Sequence, residues 1–331
     1  MTAPAHQPTR AERRRAGAAI KAQIIARRSG QKGTAQMTRS STSTIYSGIG
    51  GGATVNHVLA QPDIIAAKIG DNLTTSVTSA VFGDATSQAV GGAILYQTVH
   101  PGDEFTDGDI TARAEGAEYQ LVRLPEPDVR RDPVEDLGGK FICTEEAITR
   151  NVLPVLTNGI TQVSASLRKA IDGRTIDTLE AAVAEYSLDL PGHNWSTYIG
   201  GGATPTPNAQ SPLADLVQAQ LSFDVDGMGA VTSTLIVHPE QAAALRIAYG
   251  PDLADVLDAA GGVTIHASTH IGPGDAYVIA GQPGGLGVET PLTVQVIPKP
   301  ESRSMLVQAY IVARPYISKP YAIRRLTGLA G

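Results

Sequence analysis

One cysteine in 331 residues, Cys143, rules out an intrachain disulfide and any cysteine-held metal cluster in this chain. In its apolar setting, Lys140-Phe-Ile-Cys143, it reads as a small buried hydrophobe. Aromatics make up only 5% and charged residues only 18%, while Gly is abundant at 35 residues, a globular composition that is neither disordered nor collagen-like. Long apolar runs are missing as well. The long uncharged stretches at 86–102 and 194–213 are broken by Gly, Pro and polar residues and cannot span a bilayer. The amino-terminal stretch is Arg-rich and amphipathic and has no apolar signal core. No G-x-S-x-G or H-E-x-x-H pattern occurs, which removes the commonest serine-hydrolase and zinc-protease signatures.

Charge is present but segregated. Residues 1–40 hold nine bases and one acid, a net of +8, while the whole chain carries −6. Residues 98–139 hold eleven carboxylates against four arginines, a net of −7. In that acidic run short β-like pieces, such as Tyr119–Leu124, are separated by Gly and Pro, which predicts a long two-stranded arm. An isolated two-stranded hairpin is marginal in water. An arm of this length therefore has to be held by another chain, which points to assembly before chemistry.

The remaining pattern is α+β. Thr9-x-x-Glu12 is a capping box, and Ala16, Ile20 and Ile24 follow at helical spacing, which predicts a basic helix over 10–28. Apolar residues at three- and four-residue spacing from Ile148 to Val183, with Pro154 in the first turn, predict one long helix over about 154–186. Beyond a Gly/Pro-rich excursion at 187–212, helices are expected at 213–223, 240–246 and 252–260. Strands are expected at 234–237, 263–267, 276–280, 287–289, 294–297 and 304–313, and a last one at 322–326.

Three candidate sites are weak. Gly48-Ile-Gly50-Gly-Gly-Ala53 fits G-x-G-x-x-A, and Asp71 lies eighteen residues on, so a nicotinamide-dependent enzyme is a remote reading. However, Ser40–Thr44 precede it where a dinucleotide fold needs a buried strand. His266 and His270 would share a strand face about 13 Å apart, too far to hold one ion. Asp103, Glu104, Asp107 and Asp109 lack the spacing of a calcium loop. No cofactor, metal or catalytic residue is expected.

The order of parts resembles the major capsid protein of tailed bacteriophages, the Hong Kong 97 fold. Ala114-Glu115-Gly116 looks like the family's A-x-x-E-G turn region in its extended E-loop. Thr144-Glu145-Glu146 looks like the approach to its spine helix, and Leu235–Pro239 like its strand with a following helix start. Arg314–Arg324 looks like its closing strands. The resemblance implies an N-terminal arm at 1–75 and a P-domain lead-in at 76–97, then the E-loop at 98–140 and the P-domain spine at 141–186. After the 187–212 loop it implies an A-domain at 213–303 and closing P-domain strands at 304–331. It further implies pentamers and hexamers in an icosahedral shell around double-stranded DNA, bound without sequence preference. Location in the virion, no membrane partner, and possible scaffolding, portal and decoration proteins come with it. An encapsulin-like protein compartment is the alternative. The type member's cross-link between an E-loop Lys and a neighbour's Asn does not carry over, because 98–139 contains neither residue. The expected contacts between subunits are Arg13, Arg14, Arg15, Arg27, Arg28, Arg113, Glu115, Glu118, Arg123, Glu126, Asp128, Arg130 and Arg131. They pair the basic arm of one copy with the acidic loop of the next; the competing reading sends the basic helix inward to DNA phosphates.

Overall fold

The computed structural model describes residues 54–330, apart from 74, 75, 84, 102, 104, 105, 107–109, 111, 114, 117, 120, 122–127, 202 and 203. The helix expected over 10–28 and the glycine run Gly48–Ala53 lie outside the described residues. Three short helices, α1 (Val55–Leu59), α2 (Pro62–Leu73) and α3 (Val77–Phe82), lead to strand β1 (Thr86–Gln88). The strands β2 (Ala93–Thr98) and β3 (Asp128–Pro133) follow, then β4 (Glu135–Thr144), α4 (Glu145–Thr149) and the 34-residue α5 (Leu153–Tyr186). The second half comprises β5 (Asp189–Pro191), α6 (Pro212–Val225), β6 (Thr232–Val237), α7 (Pro239–Tyr249), α8 (Leu253–Ala259), β7 (Thr264–Ala267) and β8 (Ala276–Ala280). It ends with β9 (Gly284–Lys299), β10 (Ser304–Ile317) and β11 (Ile323–Thr327).

Helix α5 spans about 50 Å at 1.5 Å per residue and joins the two halves. Its amino-terminal stretch buries Leu156, Ile160, Val163 and Leu167 with Cys143, Val307 and Ala309 of the four-stranded sheet β1-β9-β10-β4. Its carboxy-terminal stretch buries Ile176, Leu179 and Val183 against Ile236, Tyr277, Ile279 and Ile323 of the five-stranded sheet β5-β11-β8-β6-β7. The other face of that sheet carries Leu235, Val237, Val278 and Leu326, packed on Leu216, Phe223 and Leu245 of α6 and α7. Strand β8 is therefore buried at every position, as a strand covered on both faces must be. One turn of α5 is opened to a neighbour by a glycine. Gly159 leaves room for the Phe141 ring, which would stand 2.5 Å from any Cβ there. The helix ends at Ser187, held in the left-handed region at φ 55°, with its N–H bonded to the Val183 carbonyl.

Several expected boundaries are corrected. The strands expected at 287–289 and 294–297 are one strand, β9, and they belong to the four-stranded sheet rather than to the unit expected over 213–303. Pro291 is tolerated inside β9 because β1 pairs only with Leu286–Val288, and the ladder to β10 shifts register nearby. Strand β11 joins the five-stranded sheet beside β8, not the sheet of β10. The 187–212 excursion contributes an edge strand, β5, paired with β11. The helical pattern counted from Ile148 is interrupted, since Ile148 lies in α4 and Asn151 has φ 52°.

Candidate assembly surface

The acidic arm is anchored by a two-stranded ribbon. Strands β2 and β3 pair antiparallel over Ala93↔Pro133 to Thr98↔Asp128, and no third strand joins them among the described residues. Residues 135–140, expected within the arm, instead belong to β4, paired with β10 as far as Glu135↔Ala313. Of the strand expected at 119–124, Tyr119 and Leu121 lie in no strand, and the other residues fall outside the described ones.

Alternation gives the ribbon two unlike faces. Ile94 and Thr98 are buried on the inner face, and Ile94 lies over Gly287 of β9, where a Cβ would meet its Cδ1 at 2.3 Å. Tyr96 donates its hydroxyl to Asp132 Oδ2 at 2.7 Å, and its ring lies 4.9 Å from that of Tyr316. Burial, then the Asp132 carboxylate, pushes this hydroxyl's pKa well up. Arg130 forks onto Glu185 in the last turn of α5, with Nη1 to Oε2 at 2.8 Å and Nη2 to Oε1 at 2.5 Å. The same guanidinium stands 5.6 Å from the Tyr186 ring, and the His100 ring lies 5.2 Å from it on centroids. A step along, Glu135 accepts from Arg174 Nε of α5 at 2.7 Å and from Arg314 of β10. Tyr96, Arg130, Asp132, Arg174, Glu185 and Arg314 line a cavity of about 250 Å³. A solvated network of this kind orients the arm through many weak pairs, each contributing about 0–1 kcal/mol.

Beyond the ribbon the arm shows large apolar side chains to solvent: Ile110 is 87% exposed, Tyr119 81% and Leu121 93%. Arg113 stands over the Tyr119 ring at 4.7 Å, a local contact that leaves the ring largely bare. Uncovered apolar side chains of this size mark a surface that meets another molecule.

The family model described as phage capsid protein matches residues 133–326, from the end of β3 into β11. This chain belongs to the phage capsid protein family. Solved structures share its fold at low identity. A virus-like particle from Pyrococcus furiosus aligns with TM-score 0.58 at 17% identity, covering 80% of this chain and 98% of that one. The capsid of Myoviridae phage XM1 aligns with TM-score 0.54 at 15% identity, over 78% and 92%. The capsid of an empty GTA particle gives TM-score 0.51 at 13% identity, over 78% and 90%. No curated protein matches. The fold is the α+β Hong Kong 97 capsid fold, and the chain is a capsid shell protein that assembles into multimers.

Within that shell protein the expected contact residues separate into distinct groups. Arg13, Arg14, Arg15, Arg27, Arg28, Arg123 and Glu126 lie outside the described residues. Glu115 and Glu118 are exposed on the arm, Glu115 beside Gly116 at φ 82°. Asp128 opens β3 with its carboxylate 3.8 Å from His100 Nε2. Arg131 faces outward. Arg130 is bound within its own chain to Glu185, and that hydrogen bond raises its pKa. Sequence reasoning missed Tyr96, Glu135, Arg174, Glu185 and Arg314, which set the arm's base. Their signal was poor because they are single polar residues far apart in the chain.

Proposed function

We propose that this chain builds a closed icosahedral shell of pentamers and hexamers around double-stranded DNA, with the extended arm of each copy lying on a neighbour. The observation that carries the reading is the arm itself: a clamped base followed by exposed Ile110, Tyr119 and Leu121, in a chain of the phage capsid protein family. Obligate interfaces of this type bury thousands of Å² and are more apolar than ordinary surface, which suits an element with no core of its own. DNA is enclosed without sequence readout, and the assembled protein resides in the virion. Scaffolding, portal and decoration proteins are the expected partners in that assembly.

The test is electron microscopy of the expressed chain, with nuclease-protection of the contents. Uniform closed particles are expected, and a chain that stays monomeric at high concentration overturns the proposal. A second reading, a compartment filled with protein, draws on the likeness to the virus-like particle of Pyrococcus furiosus. Particles isolated from the native source with protein and no nuclease-resistant DNA would favour it. The nicotinamide-enzyme reading depended on Gly48–Ala53 alone, and family membership supports a shell instead.

A further inference from the structure

An open cleft of about 450 Å³ lies where the middle of α5 meets the start of α3 and the turn that follows β7. Arg168 and Lys169 line it from α5, both exposed, and His270 lines it from the turn. The His270 ring sits against the helix: a Cβ on Gly173, one turn beyond Lys169, would stand 3.3 Å from its Cε1. Its N–H donates to Ser268 Oγ at 3.3 Å, which tightens the turn. The cleft's one carboxylate among the described residues, Asp172, is buried and bound to α3. Its Oδ1 accepts from the Thr78 N–H and hydroxyl, both at 3.1 Å. Lys169 makes no ion pair among the described residues, whereas Arg130, Arg174, Arg303, Arg314, Arg324 and Arg325 each reach a carboxylate of this chain. Arg168 also holds a contact within its own chain. Residues 41–331 carry 17 bases and 31 acids, so two adjacent bases at the mouth of a cleft run against the charge of the body that bears them. A concave site lined by one sign of charge focuses its field and concentrates the opposite sign.

We propose that this cleft receives the phosphate backbone of the enclosed duplex, with Lys169 and Arg168 donating to phosphate oxygens and His270 closing the opposite side. The donors suit that ligand, since a guanidinium fork and a compact ammonium both bind phosphate. Successive residues stand about 100° apart around a helix, so the two heads flank the cleft. That spread fits a run of phosphates better than a single carboxylate from a neighbouring copy. Duplex DNA presents one negative charge per about 1.7 Å of its axis, so every copy of the cleft meets a phosphate wherever the duplex passes. Phosphate contacts carry no sequence information, which agrees with enclosure without readout. The inference rests on the shell reading, which supplies the DNA.

The experiment acetylates empty and DNA-filled particles of the full chain with N-hydroxysuccinimidyl acetate and follows Lys169 by mass spectrometry, normalised to the denatured chain. Lys169 should react several-fold more slowly in filled particles than in empty ones. Ready labelling in both overturns the proposal, and equal protection in both assigns the cleft to a second copy and overturns it as well. A titration of the free subunit with a short duplex of mixed sequence gives an independent reading. Lys169→Ala should lower the slope of log affinity against log salt by about 0.9, the share of one phosphate contact, and Lys169→Arg should keep the parent slope. Bases in residues 1–40 add to the parent slope but not to this difference. Arg246→Ala, at an exposed base of α7 outside the cleft, is the control and should leave the slope unchanged. An unchanged slope for Lys169→Ala overturns the proposal. Wild-type chain that forms no particles overturns the shell reading itself, and the subunit titration then decides whether the cleft binds a phosphate backbone.

Discussion

Arg130 of the ribbon and Glu185 of the spine helix form a two-pronged ion pair, with nitrogen–oxygen distances of 2.8 and 2.5 Å, between strand β3 and the last turn of α5. The fork geometry matches guanidinium to carboxylate and fixes direction as well as distance. It makes the arm's angle a property of the subunit before any neighbour arrives. Because Glu185 is partly exposed, the pair's energy is small and its geometry is what counts. Arg130→Met should therefore leave the melting temperature almost unchanged while speeding amide exchange along β2 and β3 and lowering the yield of closed particles. A double-mutant cycle with Glu185→Gln should return a coupling of about 0.5–1 kcal/mol. Zero coupling, with unchanged exchange, would remove the pair from any role in placing the arm.

Acid should loosen this base. The Arg130 guanidinium, first through its hydrogen bond, holds the Glu185 carboxyl below its ordinary range. A depressed folded value contributes stability that is complete above the unfolded value, near 4.3, and is lost as pH falls through the folded one. Hydrogen exchange in β2 and β3, corrected for intrinsic rate, should thus be flat from about pH 8 to about pH 5 and rise below about pH 4. Glu185→Gln should abolish that rise. A rise centred near neutrality would point to a different group.

The long helix and the α+β order were legible in sequence because each is a repeated local signal. Val163 and Leu167 lie on the buried stripe that their spacing implied. The sheet memberships of β9 and β11 were not legible. Val288 and Val296 look the same to a periodicity count whichever sheet they join, and pairing partners such as Ile323↔Ile279 are set by tertiary packing. The arm's anchors failed for a similar reason: Glu135, Arg174 and Arg314 meet from three elements, and isolated charges read as solvated surface. Arg130 was singled out by its charge, but its partner, Glu185, lies 55 residues on.

Close backbone approach makes Gly284 the most demanding glycine of the long strand pair. A Cβ there would stand 1.9 Å from the Tyr316 carbonyl oxygen and 2.9 Å from Ile317 Cα. Backbone on the far side of a ladder cannot swing away as a side-chain tip can. Gly284→Ala should cost about 1–3 kcal/mol, the usual range for overpacking, and lower the melting temperature by several degrees. Gly201→Ala, with nothing within 4 Å of its added carbon, is the control and should melt like the parent. Equal melting of both variants would show that the β9–β10 end is looser than this spacing implies.

Deleting residues 103–126 separates the arm's role in folding from its role in assembly. The cut spares β2, β3 and the Arg130–Glu185 and Glu135–Arg174 pairs, so the ribbon and its clamp stay whole. It removes Ile110, Tyr119 and Leu121, which pack on no core cluster of this chain among the described residues. The shortened subunit should be soluble, with the parent's circular dichroism and a melting temperature within a few degrees. Residues 99–102 and 127 then bridge Thr98 and Asp128, and loop-closure entropy changes only slowly with length. Closed particles should be absent under conditions where the parent forms them, because the apolar surface that must be covered by a neighbour is gone. Particles of parental diameter from the shortened chain would show that the spine helix and the two sheets carry the shell without the arm.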